Sequence, residues 1–183
     1  ELKATSGKIV MNGIDLSSSS QTELACHLSM IPQGIQPPPH LTVSELASLG
    51  RFNPRKALWW RLSREDREIV DACLQRCHVK EVAGRRVEEL SGGEQRRAWL
   101  AFGLAQGRRF LVLDETLDGL DFEAKRSFFK LLKETAGERR GVLLTSHDLD
   151  FVTEFADRVV ALVAGRIVYD GQGKVDLPQV LCG

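Results

Sequence analysis

Short apolar runs alternate along the chain with stretches whose apolar residues recur at helical spacing. Phe110–Leu113 is a continuous apolar run, and Gly141–His147 is an apolar run that ends in a polar tip; such runs are typical of buried strands in a parallel sheet. Ser63–Cys77 and Asp121–Ala136 have an apolar stripe at the three-to-four residue spacing of an amphipathic helix. This alternation predicts an α/β protein.

Weaker patterns add further elements. Gln21–Leu28 follows a run of four serines that suits a loop and a helix N-cap, and Leu41 begins a helix that should end near Gly50. Arg158–Val163 and Arg166–Tyr169 flank Ala164-Gly165, and this pattern predicts a β-hairpin.

The stretch Leu90–Asp121 combines a helix start with a strand that ends in acids. Ser91, Gly92 and Gly93 stand where a helix begins, and the free N–H groups and dipole of a helix N-terminus favour an anion. After that helix, the Phe110 strand ends at Asp114 and Glu115. The carboxyl ends of parallel strands are where open α/β sheets bind ligands, so the stretch predicts a phosphate site.

Leu90–Gln95 (LSGGEQ) resembles the signature motif of ABC ATPases, and Phe110–Glu115 resembles their Walker B strand with its catalytic glutamate. Leu120 and Asp121 resemble the D-loop. The resemblance implies a P-loop NTPase-like ABC ATPase domain over residues 1–183, with a mainly parallel sheet, flanking helices and a helical subdomain at about 34–106.

Three further segments extend the resemblance. Gln33, after Met30-Ile31-Pro32, resembles the Q-loop, and His147 with Asp148 resembles the H-loop. Leu41–Arg51 (LTVSELASLGR) is similar to the matching part of importers for iron-siderophores, haem and cobalamin. One departure is Thr116-Leu117, where the family usually has Pro-Thr, and this puts the stiffness of the D-loop in doubt.

The resemblance implies a role for each motif residue in hydrolysing ATP with Mg²⁺. Glu115 is expected to be the general base, Asp114 to hold Mg²⁺, Gln33 to complete the metal and water shell, and His147 to contact the γ-phosphate. The expected contacts to ATP held by a second subunit, in a head-to-tail dimer, come from Ser91, Gly92, Gly93 and Glu94, and the D-loop residue is Asp121.

The implied protein is the ATP-hydrolysing subunit of an importer. Its partners would be a second ATPase subunit and transmembrane permease subunits, and it would lie in the cytoplasm on the inner face of the cell membrane. The plainer alternatives stay open at this stage: Ser91 and Asp121 could be simple N-caps, and the two carboxylates a solvated helix start.

Two other functions fit parts of the pattern. One is a non-hydrolytic ABC-like module that regulates or dimerises with a partner. The other is a soluble ABC protein of iron–sulfur assembly or DNA repair. The LTVSELASLGR segment and the lack of a long coiled-coil insertion between Gln33 and Ser91 argue against DNA repair, and more weakly against iron–sulfur assembly.

The P-loop pattern, GxxxxGK followed by Ser or Thr, is absent from the 183 residues, since Gly7-Lys8 is followed by Ile9 and Gly173-Lys174 by Val175. We therefore expect an N-terminally truncated domain that binds ATP poorly by itself. We also expect the Phe110–Leu113 strand to lack a neighbour on one side, because the strand leading into a P-loop should pair beside it.

The composition of the chain limits which classes of partner and which compartment are expected. The 25 basic and 25 acidic residues balance, so net charge does not favour nucleic acid. The four scattered cysteines fit a reducing compartment. Cys73, Cys77 and His78 could hold a metal, but an apolar stripe through Val70, Cys73, Leu74 and Cys77 is the commoner explanation. The adjacent Trp59 and Trp60 suggest an interface.

Overall fold

A three-stranded parallel sheet with helices packed on one face forms the centre of the described structure. The structure is a computed structural model, and it describes residues 6–11, 13–16, 19–52, 62–137 and 140–173. Trp59 and Trp60, which the sequence suggests as an interface, lie outside the described residues.

The strands are β1 (Val10–Met11), β2 (Ile14–Asp15), β3 (Leu28–Ile31), β4 (Phe110–Asp114), β5 (Gly141–Thr145), β6 (Arg158–Val163) and β7 (Arg166–Gln172). The helices are α1 (Gln21–His27), α2 (Val43–Leu49), α3 (Arg64–Arg76), α4 (Gly92–Ala105), α5 (Phe122–Gly137) and α6 (Leu149–Phe155). The helices and strands predicted from the apolar patterns are confirmed, with small shifts at their ends.

The parallel sheet has the order β3-β4-β5, with β4 in the middle. Leu28 pairs with Phe110, which pairs with Gly141, and the last pair along β4 and β5 is Asp114 with Thr145. The expectation of an unpaired side on the Phe110 strand is therefore wrong. β4 has a hydrogen-bonded neighbour on each side, and β3 and β5 are the edges of the described sheet.

The two faces of the sheet differ in burial. Ile31, Leu111 and Leu113 are almost fully buried on one face, in a single core with residues of α4 and α5. At Gly103 of α4 the approach is so close that a Cβ atom would lie 3.2 Å from both Leu111 Cδ1 and Ser29 Oγ. On the opposite face, the register sets Met30, Val112 and Leu143 in a row, and Met30 and Leu143 are 50% and 63% exposed.

Helices α2, α3 and α4 pack against one another. The apolar stripe of α3 enters this packing, since Val70, Leu74 and Cys77 are buried and Cys73 is half-buried. Burial raises the pKa of the Cys77 thiol to about 12, so it is protonated at neutral pH. The stripe predicted from the sequence is thus a packing feature.

Polar N-cap residues define where two of the helices begin. Ser20 and Thr42 each form a capping box with the glutamate three residues later, at the starts of α1 and α2.

β6 and β7 pair antiparallel around Ala164 and Gly165, whose φ angles of 48° and 77° are those a two-residue hairpin turn requires. The predicted hairpin is confirmed.

Among the described helices, none combines the length and the apolar character that crossing a bilayer requires.

Candidate functional site

The carboxyl ends of the three parallel strands bring the predicted catalytic residues to one edge of the sheet. Asp114 ends β4 and pairs with Thr145, which ends β5. The Thr145 hydroxyl donates a hydrogen bond to Asp114 Oδ1 at 2.5 Å. The same hydroxyl accepts the backbone N–H of Glu115 at 3.0 Å, and the Thr145 carbonyl accepts it at 3.3 Å. One threonine therefore fixes both acidic residues.

Gln33 reaches the same place from β3. It lies two residues beyond the end of that strand, and its side-chain Nε2 donates to Glu115 Oε2 at 2.5 Å. Because β3 and β4 are parallel neighbours, residues that follow them emerge at the same edge of the sheet. The structure thus joins the predicted Q-loop glutamine to the predicted general base.

The backbone of Glu115 has a φ of 42°. This is the left-handed region, which costs a residue with a Cβ atom roughly 1 kcal/mol or more. The hydrogen bonds from its N–H to Thr145 and from Gln33 to its carboxylate are the contacts that hold this conformation.

His147 lies two residues beyond the end of β5. Its Nε2 is 3.7 Å from Asp118 Oδ1, and the His147 side chain is 66% exposed. Its neighbour Asp148 forms a partly buried ion pair with Lys125 at 2.6 Å. The side chains of His147, Asp148 and Lys125 line a surface cavity of about 460 Å³ between the starts of α5 and α6.

Ser91 is the N-cap of α4, as its position predicts. Its hydroxyl accepts the Glu94 N–H at 3.4 Å, while the Glu94 carboxylate accepts both the Ser91 N–H at 2.9 Å and the Ser91 hydroxyl at 2.7 Å. Hydrogen bonds from the Ser91 hydroxyl and then from its backbone N–H lower the pKa of Glu94. Glu94 therefore satisfies part of the helix start internally.

Asp121 caps α5, because its Oδ1 accepts the Ala124 N–H at 2.9 Å. The plainer interpretation of this residue as an N-cap is thus confirmed. Its role as a D-loop residue stays a prediction.

The segment after Glu115 departs from the usual family sequence, but it is well anchored. Leu117 is 2% exposed and belongs to the core. The Thr116 carbonyl accepts a hydrogen bond from Arg96 Nε of α4 at 2.5 Å. The burial of Leu117 and the hydrogen bond to Thr116 hold these two residues in place without the proline.

Sequence reasoning missed Thr145 and Arg96. Thr145 carried a usable signal, since it is the polar residue that ends the apolar β5 run beside His147. Arg96 carried none, because it is one of 25 basic residues and its partner is a backbone carbonyl 20 positions away.

Comparison with known proteins identifies the family and supports the fold. Residues 1–118 match the family model described as ABC transporter, and the chain belongs to that family. Solved structures support the fold: an ATP-binding cassette in its ADP conformation superposes with a TM-score of 0.84 at 24% identity, covering 99% of this chain and 75% of that one. A nucleotide-free cassette gives a TM-score of 0.84 at 23% identity, with 100% and 76% covered.

Several curated relatives of the chain are import or transport ATP-binding proteins. The chain is 34% identical over 182 residues to the iron(3+)-hydroxamate import ATP-binding protein of Bacillus subtilis (strain 168), covering 98% of this chain and 67% of that protein. It is 35% identical over 182 residues to a petrobactin import ATP-binding protein of Bacillus anthracis, with 99% and 65% covered. For the ferric enterobactin transport ATP-binding protein of Escherichia coli (strain K12), identity is 32% over 169 residues, with 92% and 62% covered. The chain spans about two thirds of the length of these relatives.

The predicted family and the predicted fold class, an ABC ATPase-type P-loop NTPase fold, are therefore confirmed.

Proposed function

We propose that this chain belongs to the ATP-hydrolysing subunit of an importer, of the type that takes up iron-siderophores or haem. The observation that carries the proposal is the contact between Gln33 and Glu115 at the carboxyl end of β4, beside Asp114. The names of the relatives, which are import or transport ATP-binding proteins for iron(3+)-hydroxamate, petrobactin, ferric enterobactin and hemin, support the substrate class.

Glu115 is the proposed general base. Phosphoryl transfer to water needs a group that orients the attacking water and accepts its proton, and little other covalent chemistry from the protein. The Glu115 carboxylate accepts a hydrogen bond from Gln33, and the Glu115 backbone N–H donates one to Thr145. Together these bonds hold Glu115 in a fixed position suited to that task.

Asp114 and Gln33 are the proposed Mg²⁺ residues, and their chemistry fits the ion. Mg²⁺ takes oxygen ligands and is commonly held by one or two carboxylates together with phosphate oxygens and water. Among the described residues, no group of three or more His, Cys, Asp or Glu side chains is arranged to hold a metal ion, so a cage made only of protein groups is not the arrangement proposed. The ion would supply charge neutralisation on the phosphates.

The remaining motif residues have proposed contacts to nucleotide. His147 is exposed beside the same strand ends and would contact the γ-phosphate. Ser91, Gly92, Gly93 and Glu94 would meet ATP held by a second subunit in a head-to-tail dimer. Asp121 would lie in the D-loop of that interface.

Permease subunits are the proposed membrane partners, so the protein would work on the cytoplasmic face of the membrane. The mutual packing of α2, α3 and α4 supports a helical subdomain at about 34–106, which would receive the permease.

The experiment that tests this function measures phosphate release from ATP by the full-length protein, alone and in vesicles with its co-purifying membrane partner. We expect Mg²⁺-dependent hydrolysis and ATP-dependent uptake of a ferric siderophore or haem. Absence of hydrolysis in both settings would overturn the proposal, whereas hydrolysis without uptake of either cargo would overturn only the substrate class.

A further inference from the structure

Helix α4 and the residues that follow Glu115 approach each other at three places, one of which is a hydrogen bond. Arg96 Nε donates to the Thr116 carbonyl at 2.5 Å. Gly92 faces Leu120, since a Cβ atom at Gly92 would lie 3.8 Å from Leu120 Cδ2. The segment therefore lies along the first two turns of the helix that Ser91 begins.

The third approach is between Gly93 of α4 and Ala124 of α5. A Cβ atom at Gly93 would lie 3.9 Å from the Ala124 Cβ. Arg96 therefore bonds to the 116–124 region, and Gly92 and Gly93 face that region across gaps that an added methyl group would fill at ordinary van der Waals distance.

Arg96 makes the hydrogen bond between the start of α4 and the 116–124 region. A guanidinium that donates to a carbonyl makes a charge-assisted hydrogen bond, which is stronger than a neutral one. The acceptor belongs to a residue that is only 4% exposed, and the next residue, Leu117, is 2% exposed. The bond is therefore partly buried, which reduces competition by solvent.

The position of this bond matters because it flanks Glu115. The Glu115 N–H is held by Thr145 on one side, and the carbonyl of the next residue is held by Arg96 on the other. With the backbone fixed at both ends, Glu115 retains its left-handed φ of 42°, which an unconstrained residue of this type would leave.

We propose that Arg96 is a positioning residue for Glu115, and that it couples the start of α4, where the partner's nucleotide would bind, to the base that serves this chain's own nucleotide. The inference rests on the proposed ATPase function. Any shift of α4 when Ser91 and Gly92 meet a nucleotide would be transmitted through Arg96 to the backbone beside Glu115.

The test uses Arg96→Gln and Arg96→Lys in the full-length protein, with Arg126→Gln as the matched control. Arg126→Gln likewise removes a guanidinium hydrogen bond, the one to Glu154 at 2.8 Å, but Arg126 lies on the α5–α6 surface. We expect Arg96→Gln to lower kcat for ATP by roughly tenfold or more while KM changes by less than about twofold, because misplacing a base affects the chemical step rather than binding.

Arg96→Lys keeps the charge but moves the donor along the side chain, so a drop in kcat of about threefold is expected. Amide hydrogen exchange gives a second readout: residues 114–121 should exchange faster in Arg96→Gln than in Arg126→Gln. If Arg96→Gln does not fold, Arg96→Lys decides alone, with a lowered kcat at constant KM as the supporting result.

An active wild type with unchanged kcat in the Arg96 variants would overturn this inference and leave the proposed function standing. A wild type without ATPase activity would overturn both.

Discussion

The side-chain amide of Gln33 donates a 2.5 Å hydrogen bond to the carboxylate of Glu115, although the two residues are 82 positions apart in the chain. The contact exists because β3 and β4 are parallel neighbours whose carboxyl ends share one edge of the sheet. Gln33 and Glu115 are thus in direct contact, so any displacement of the Gln33 loop changes the hydrogen bonding of the proposed base.

Glu115→Gln should abolish ATP turnover and preserve ATP binding in the full-length protein. The amide keeps the size of the side chain but cannot accept a proton from water, so at least about a hundredfold loss of kcat is expected. Phosphate release and nucleotide affinity are the measurements. Glu123→Gln, an exposed change in the first turn of α5, is the control; undiminished hydrolysis by Glu115→Gln would disprove the base assignment.

Thr145→Val removes the hydroxyl that bridges Asp114 and the Glu115 N–H while keeping the shape of the side chain. We expect roughly a tenfold fall in kcat, because both acids lose a contact that orients them. Thr153→Val loses one hydroxyl bond, to the Asp150 carbonyl within α6, and serves as the control. Equal activity of the two variants would contradict the role assigned to Thr145.

Ser91→Ala and Thr42→Ala each remove the N-cap hydroxyl of a capping box, on α4 and α2 respectively. Each substitution should lower the free energy of unfolding by about 0.5 to 2 kcal/mol. Only Ser91→Ala should also lower ATP turnover, since Ser91 is proposed to contact nucleotide. Unfolding by denaturant measures the loss of stability, and phosphate release measures ATP turnover. Equal turnover in the two variants would favour a purely structural role for Ser91.

Glu94 gives a pH prediction. Its hydrogen bonds with Ser91 hold its pKa below the ordinary value of 4.5, so its contribution to stability is fully present above pH 4.5 and is lost as pH falls through the lowered pKa. Glu94→Gln should therefore lose stability relative to wild type near neutral pH, with the difference shrinking in acid. Melting temperatures from pH 7 down to 3 test this, with exposed Glu134→Gln as control.

Cys77 should resist alkylation in the folded protein. Its side chain is fully buried, and burial raises its pKa to about 12, so almost no thiolate exists at pH 8. Cys26 is exposed and should react readily. Mass spectrometry after brief treatment with a maleimide measures both, and rapid labelling of Cys77 would show that α3 opens in the native state.

Local patterns predicted the elements well because their causes are local. Continuous apolar runs marked β4 and β5, while the serine run before Gln21 and the hydroxyl and glycines of Ser91–Gly93 marked the starts of α1 and α4. Strand order was predicted less well: the expectation of an unpaired side on β4 failed because β4 lies between β3 and β5 in the described sheet. Pairing joins segments that are far apart in the chain, so the apolar run of one strand does not specify its neighbours.

The candidate site shows the same division. Asp114, Glu115, Gln33 and His147 were predicted from motif resemblance, and the structure brings the first three together through Thr145 and Gln33 itself. The contact of Arg96 with Thr116 was not predictable, because a side chain that binds a distant carbonyl leaves no pattern in the residue types.

The left-handed backbone of Glu115 sets stability and activity in opposition at one position. A glycine there would adopt the same φ without steric cost and could make the folded chain more stable, yet it would delete the carboxylate. Screening variants for thermal resistance alone would therefore tend to select inactive proteins at residue 115. An engineering effort on this chain should keep Glu115 fixed and look for stability elsewhere.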